Sequence, residues 1–116
     1  MKVSLIPEHL KKIIMNLNKV KTQIALNYLR SLSNKNNIKI INLLEKEKEL
    51  DVVRISKELQ VVKSVALHLL IEMRDRGIVV SRREDRNVLY SIKPTFHQDL
   101  LRTIDEIFTT DNYRPE

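Results

Sequence analysis

The chain contains a single glycine, Gly77, among 116 residues. A left-handed residue just past the last turn is the commonest way to stop a helix. Glycine takes that conformation without a Cβ clash. On its N-terminal side, Val62, Val65, Ala66, Leu69, Leu70 and Met73 recur at helical spacing, which predicts a helix over 62–76 with these residues on its inner face. On its C-terminal side the pattern changes at once. Residues 78–83 and 88–92 are short β-prone runs around the charged turn Glu84-Asp85-Arg86-Asn87. The one glycine therefore marks a junction between a helix and a basic hairpin.

The same spacing logic orders the rest of the chain. Pro7 and Glu8 suit a first helical turn, and Leu10, Ile13, Ile14, Leu17, Val20, Ile24, Tyr28 and Leu32 follow as a near-heptad stripe. They predict a helix over 7–32, with an interruption allowed at 16–18, where asparagines compete for backbone bonds. The polar breaker 33–37 supplies a cap for a second helix over 36–46, with Ile38, Ile41, Leu43 and Leu44 inward. The mixed charges of 45–49 read as a solvated helix end and connector. Asp51 can cap a third helix over 53–59, burying Ile55 and Leu59. After the hairpin, Thr95 and Gln98 have capping-box spacing. They open a last helix over 95–110 with Phe96, Leu100, Leu101, Ile104, Ile107 and Phe108 on one face. Residues 1–6 and 111–116 read as loosely held ends.

Composition narrows the function classes. Lysine and arginine number 21 against 15 acidic residues, a formal charge of +6, and the isoelectric point is about 9.7. That balance invites a polyanionic partner. There is no cysteine, so disulfides, thiolate metal sites and cysteine nucleophiles are excluded. No apolar run is long enough to span a bilayer and no signal peptide is visible, so a soluble cytoplasmic protein is expected. Nucleophile elbows, phosphate loops and glycine-rich nucleotide motifs are missing, which argues against an enzyme and against a bound cofactor.

Helix, helix, helix, helix, hairpin, helix is a mainly α fold with a small β-hairpin, the plan of a winged helix-turn-helix. A single domain over 1–116 is expected, with its core at 36–93. The runs Asn37 to Leu44, Ile55 to Leu59, Lys63 to Val79 and Ser81 to Ile92 resemble the ArsR family of bacterial repressors. The resemblance covers roughly residues 20–108. It implies a homodimer in which the helices 7–32 and 95–110 build the interface. Each subunit would place helix 62–76 in a major groove of double-stranded DNA at a palindromic operator. The N-terminal stripe supports the dimer independently, since one small core cannot cover it.

On the outer face of helix 62–76, Lys63, Ser64 and His68 are candidate contacts to base edges or phosphates. Leu67 and Ile71 stand where relatives have small or polar residues. They either touch thymine methyls or pack internally. Arg82, Arg83 and Arg86 surround the wing tip, where they can follow the backbone or enter the minor groove. Relatives often carry glycine at that tip, so Asp85 or a neighbour must supply the turn conformation. The family's frequent arginine at the start of the second helix is Asn37 here. Its histidine and carboxylate metal site would draw on His97, Asp99, Asp105 and Glu106, with His9 of the first helix able to approach from either subunit. Three dispersed histidines make a poor site, and no metal is expected. The competing function is a winged-helix module for protein association. A repressor answering to a small organic inducer between the dimer helices is a third.

Overall fold

The computed structural model describes residues 6–109. Within them the chain forms α1 (Glu8–Leu32), α2 (Lys35–Glu47), β1 (Leu50–Asp51), α3 (Val52–Leu59), α4 (Lys63–Asp75), β2 (Val79–Glu84), β3 (Asn87–Ile92) and α5 (Phe96–Thr109). Residues 1–5 and 110–116 lie outside the described residues, and with them all of the expected loose ends 1–6 and 111–116 except Ile6. The three strands make one antiparallel sheet in the order β1-β3-β2. This is a winged helix-turn-helix, with one element more than expected. β1 is two residues long, too short to show a period-two pattern, and only its partner β3 reveals it.

Local chemistry explains the helix ends. α1 runs without a break through residues 16–18. The Asn34 side chain accepts hydrogen bonds from the backbone N–H groups of Asn36 (2.9 Å) and Asn37 (3.2 Å). α2 therefore starts at Lys35, one residue earlier than expected. Asp51 accepts from the Arg54 N–H at 2.9 Å and starts α3 as its position predicts. At the end of α4, Gly77 has φ 77°. Its N–H donates to the Arg74 carbonyl (3.0 Å), and the Ile78 N–H reaches back to the Met73 carbonyl (2.9 Å). This pair of bonds is a Schellman motif, and its usual apolar contact is supplied by Met73 and Ile78, both wholly buried.

Ile40, Leu44, Ile55, Leu70, Met73, Ile78 and Val79 form the centre of the core. On α2 the buried residues are Asn37, Ile40, Ile41 and Leu44, an i, i+3, i+4, i+7 stripe. That stripe turns Ile38 aside, 40% exposed, contrary to its expected inward place. Tyr28 of α1 and Phe96 of α5 meet over this core, with ring centroids 6.4 Å apart. Burial, and then the Asp99 charge, push the Tyr28 phenol up to about 12, so it stays neutral. The molecule is elongated, 57 × 27 × 23 Å. No helix among the described residues is long and apolar enough to cross a membrane.

The start of α5 differs from the expected capping box. The Thr95 hydroxyl donates to the Asp99 carboxylate (3.0 Å) rather than capping at Gln98. Asp99 also receives Lys93 (3.1 Å) and Arg102 (2.7 Å). These partners hold its carboxyl below the ordinary carboxylate range, the hydrogen bond from Lys93 contributing most. The unfolded chain lacks them and binds the proton at higher pH. Asp99 therefore stabilises the fold above the ordinary aspartate range, and the contribution is lost as pH falls toward the lowered native value. Accordingly, Asp99→Asn should lower stability at pH 7 and cost progressively less on acidification, as read from urea midpoints across pH. A Cβ built on Gly77 meets only Lys93 Nζ, at 3.7 Å, so space is not the constraint there. Gly77→Ala should still cost about 1–2 kcal/mol through its left-handed backbone, and Gly77→Asn should cost less in the same urea titration.

Candidate nucleic-acid interface

Three residues separate α3 from α4. Gln60 takes the left-handed conformation (φ 58°), and the Val61 N–H bonds the Ser56 carbonyl at 3.1 Å. The turn brings α4 across α3 with Ala66, Leu69, Leu70 and Met73 buried beneath it. Val62 and Val65, expected on that inner face, are 66% and 43% exposed. Val62 lies outside the helix as its N-cap, and Val65 sits about a quarter-turn from the buried stripe. Val62 offers no side-chain cap. In contrast to α2 and α3, α4 therefore begins without a side-chain cap, and its Val65 N–H bonds the Val62 carbonyl at 3.0 Å.

The outer side of α4 presents Lys63, Ser64, His68, Ile71 and Asp75, all exposed. His68 Nε2 lies 3.4 Å from the Glu72 carboxylate one turn on. Leu67 is turned away from this surface. It is half-buried against the core, in an open groove of about 260 Å³ shared with Lys63, Arg86, Val88 and Tyr90. Internal packing is thus where its side chain goes. Lys63 and Arg86 both line that groove, one from α4 and one from the wing.

The wing is a two-residue turn between strands that reach Glu84 and Asn87. Asp85 supplies the left-handed residue, at φ 56°. Strand alternation separates the arginines. Ser81 pairs with Tyr90 and Arg83 with Val88, on the sheet face that meets α4, where Arg74 donates to the Ser81 hydroxyl at 3.2 Å. Arg82, opposite Leu89, points to the other face. Its guanidinium is engaged by Glu49 through Nε (2.6 Å) and Nη2 (2.8 Å), with Glu84 at 3.8 Å. The hydrogen bond from Arg82 holds the Glu49 carboxyl below its ordinary range, and the same bond raises Arg82.

Of the seven candidate contacts, all but Leu67 are exposed. Leu67 packs on the core, and Arg82 and His68 face carboxylates of the protein, Glu49 and Glu72. Among the described residues Lys63, Arg83 and Arg86 join no ion pair, whereas Arg54, Arg82 and Arg102 do. Asn37 is buried, and its amide donates to the Ser31 carbonyl at 3.0 Å. It ties α2 to α1 and presents nothing to a phosphate. Arg76 adds to the same corner, bonding the Ser31 hydroxyl and the Asn27 carbonyl. The residues weighed as metal ligands are dispersed. His97 pairs with Glu45 at 3.3 Å, and no group of three His, Asp or Glu able to hold an ion occurs among the described residues. Glu49 was not a candidate, because its partner is 33 residues away and nothing local announces it.

No family model matches the chain, and no curated protein sequence matches it. Solved structures do. The transcriptional repressor PagR of Bacillus anthracis matches at 25% identity with a TM-score of 0.57, over 69% of this chain and 92% of that one. NolR from Sinorhizobium fredii matches at 22% identity and 0.60, over 89% and 93%. A protein described as a "possible transcriptional regulator for arsenical resistance" matches at 18% identity and 0.62, over 75% and 88%. The resemblance to ArsR-type repressors carried by the sequence thus has a structural counterpart in a shared fold.

Proposed function

We propose that the chain binds double-stranded DNA as a homodimer and regulates transcription as a repressor, with α4 in the major groove and the wing on the adjacent backbone. One observation carries this most directly. Lys63, Arg83 and Arg86, three of the cations without a carboxylate partner, lie with the uncapped N-terminus of α4 on the α4–wing side of the molecule. Lys63, Ser64 and His68 are assigned to base edges and phosphates, Arg83 and Arg86 to the backbone and minor groove. The proteins of like fold include a transcriptional repressor, which supports reading the chain as a regulator.

Exposed apolar surface supports the dimer. Ile13 (51%), Leu17 (57%) and Ile24 (63%) on α1, and Leu101 (68%) and Ile104 (40%) on α5, are exposed in the single chain. So much apolar surface on two packed helices calls for a second copy. The competing function, a protein-association module, rests on exposed Val65 and Ile71 beside the polar residues of α4.

Duplexes selected from random DNA should be imperfect palindromes with half-sites about one helical turn apart. Their log affinity should fall linearly with log salt concentration. Arg83→Glu should weaken binding about tenfold on every sequence, a loss near 1.4 kcal/mol. Lys63→Ala should instead change which base is preferred. No duplex binding at low salt would leave the association module as the better account. Sedimentation at micromolar concentration should give twice the mass of one chain, and Leu101→Asp should shift it toward the monomer.

A further inference from the structure

We propose that Glu49 and Arg82 are a positioning pair: their ion pair sets the angle of the wing at its root and so places Arg83 and Arg86 against the duplex, while neither touches it. This rests on the DNA-binding function proposed above and assigns a role within it to two residues outside the contact surface.

The sheet register locates the pair. β1 joins the sheet through two pairings only, Leu50 with Tyr90 and Asp51 with Leu89. Arg82 lies opposite Leu89 on the other side. The row Asp51–Leu89–Arg82 is therefore the last one shared by all three strands. Beyond it the wing consists of β2 and β3 alone, with Arg83 opposite Val88 and Glu84 opposite Asn87. A two-stranded ribbon twists and bends readily. Its direction depends on what grips the last three-stranded row. Arg82 reaches across β3 to Glu49, immediately before β1, and binds it through two nitrogens and both carboxylate oxygens. A planar two-point fork fixes orientation as well as distance.

The backbone before β1 supports the same role. Lys48 has φ 76° and ψ −61°, and the Glu49 N–H donates to the Glu47 carbonyl at 3.0 Å. This is a γ-turn of the strained kind, rare for a residue with a side chain. It ends α2 abruptly and delivers Glu49 to the edge of the sheet. Arg82 has a second carboxylate, Glu84, at 3.8 Å. With its fork occupied and its side chain on the face away from α4, Arg82 is a brace for the wing and Arg83 is the contact.

The test uses the full chain and a fluorescein-labelled duplex of the sequence selected from random DNA, titrated at several salt concentrations. Glu49→Gln and Arg82→Gln should each weaken binding about three- to fivefold, the range of an exposed ion pair. The double variant should be no weaker than either single. The salt slope should stay that of the parent, because no phosphate contact is lost. Arg83→Gln, the reference, should flatten the slope by about 0.9 per protomer. Exchanging the charges, Glu49→Arg with Arg82→Glu, should recover most of the loss. A flattened slope in Arg82→Gln would mean that Arg82 contacts phosphate and would overturn the proposal. So would tighter binding by Glu49→Gln, which would make Glu49 a mask, or unchanged affinity in both single variants. If the parent chain itself binds no duplex, the DNA-binding function fails first, and that outcome is distinct from the others.

Discussion

The closure of α4 at Gly77 is the constraint on which the remaining structure depends. Two backbone bonds reach back from Gly77 and Ile78 into the last turn, and Met73 and Ile78 are buried together there. The chain therefore leaves the helix already inside the core and enters β2 with Val79 covered. That single reversal fixes where the wing begins relative to the recognition helix. Without a left-handed residue at this point, the strands would emerge in another direction and the groove between Lys63 and Arg86 would not form.

Around that junction the molecule sorts its charges. Arg54, Arg82 and Arg102 are held by carboxylates within the protein. Lys63, Arg83 and Arg86 are left open on the side where α4 begins and the wing ends. A net charge of +6 says only that a polyanion is welcome. Strain is distributed in a related way. The three residues with a side chain and a positive φ are Lys48, Gln60 and Asp85 among the described residues. They stand before β1, in the turn between α3 and α4, and at the wing tip. Each is a place where the chain changes direction sharply.

Much of this was legible in order. The helical stripes, the Asp51 cap, the Gly77 stop and the need for a left-handed residue near Asp85 are local properties of short segments. Local steric and hydrogen-bonding rules are enough to read them. Errors arose where neighbours distant in sequence decide the outcome. Ile38 and Ile40 are both plausible inward residues of α2, and only the stripe completed by buried Asn37 selects Ile40. Leu67 has the spacing of an outer-face residue, but the wing folds over its flank and half-buries it. β1 has no pattern of its own to read.

The sequence by itself determined the order of the five helices and the wing, the inward placing of Ala66, Leu69, Leu70 and Met73 on α4, the basic hairpin and the lack of any thiolate chemistry. Each follows from residue type and from periods of 3.6 or 2. Adjacent Arg82 and Arg83 illustrate what it left undecided. Their opposite faces are implied by strand alternation, but which face meets α4 and which meets Glu49 depends on how the sheet packs. Only the tertiary structure decided that, because the pairing of residues 49 and 82 arises when β1 docks on β3. The same physics makes Asn37, which stands where the family often has an arginine, a buried tie between two helices. A charge or amide acts on whatever partner the fold brings nearest, and that partner is seldom its neighbour in the chain.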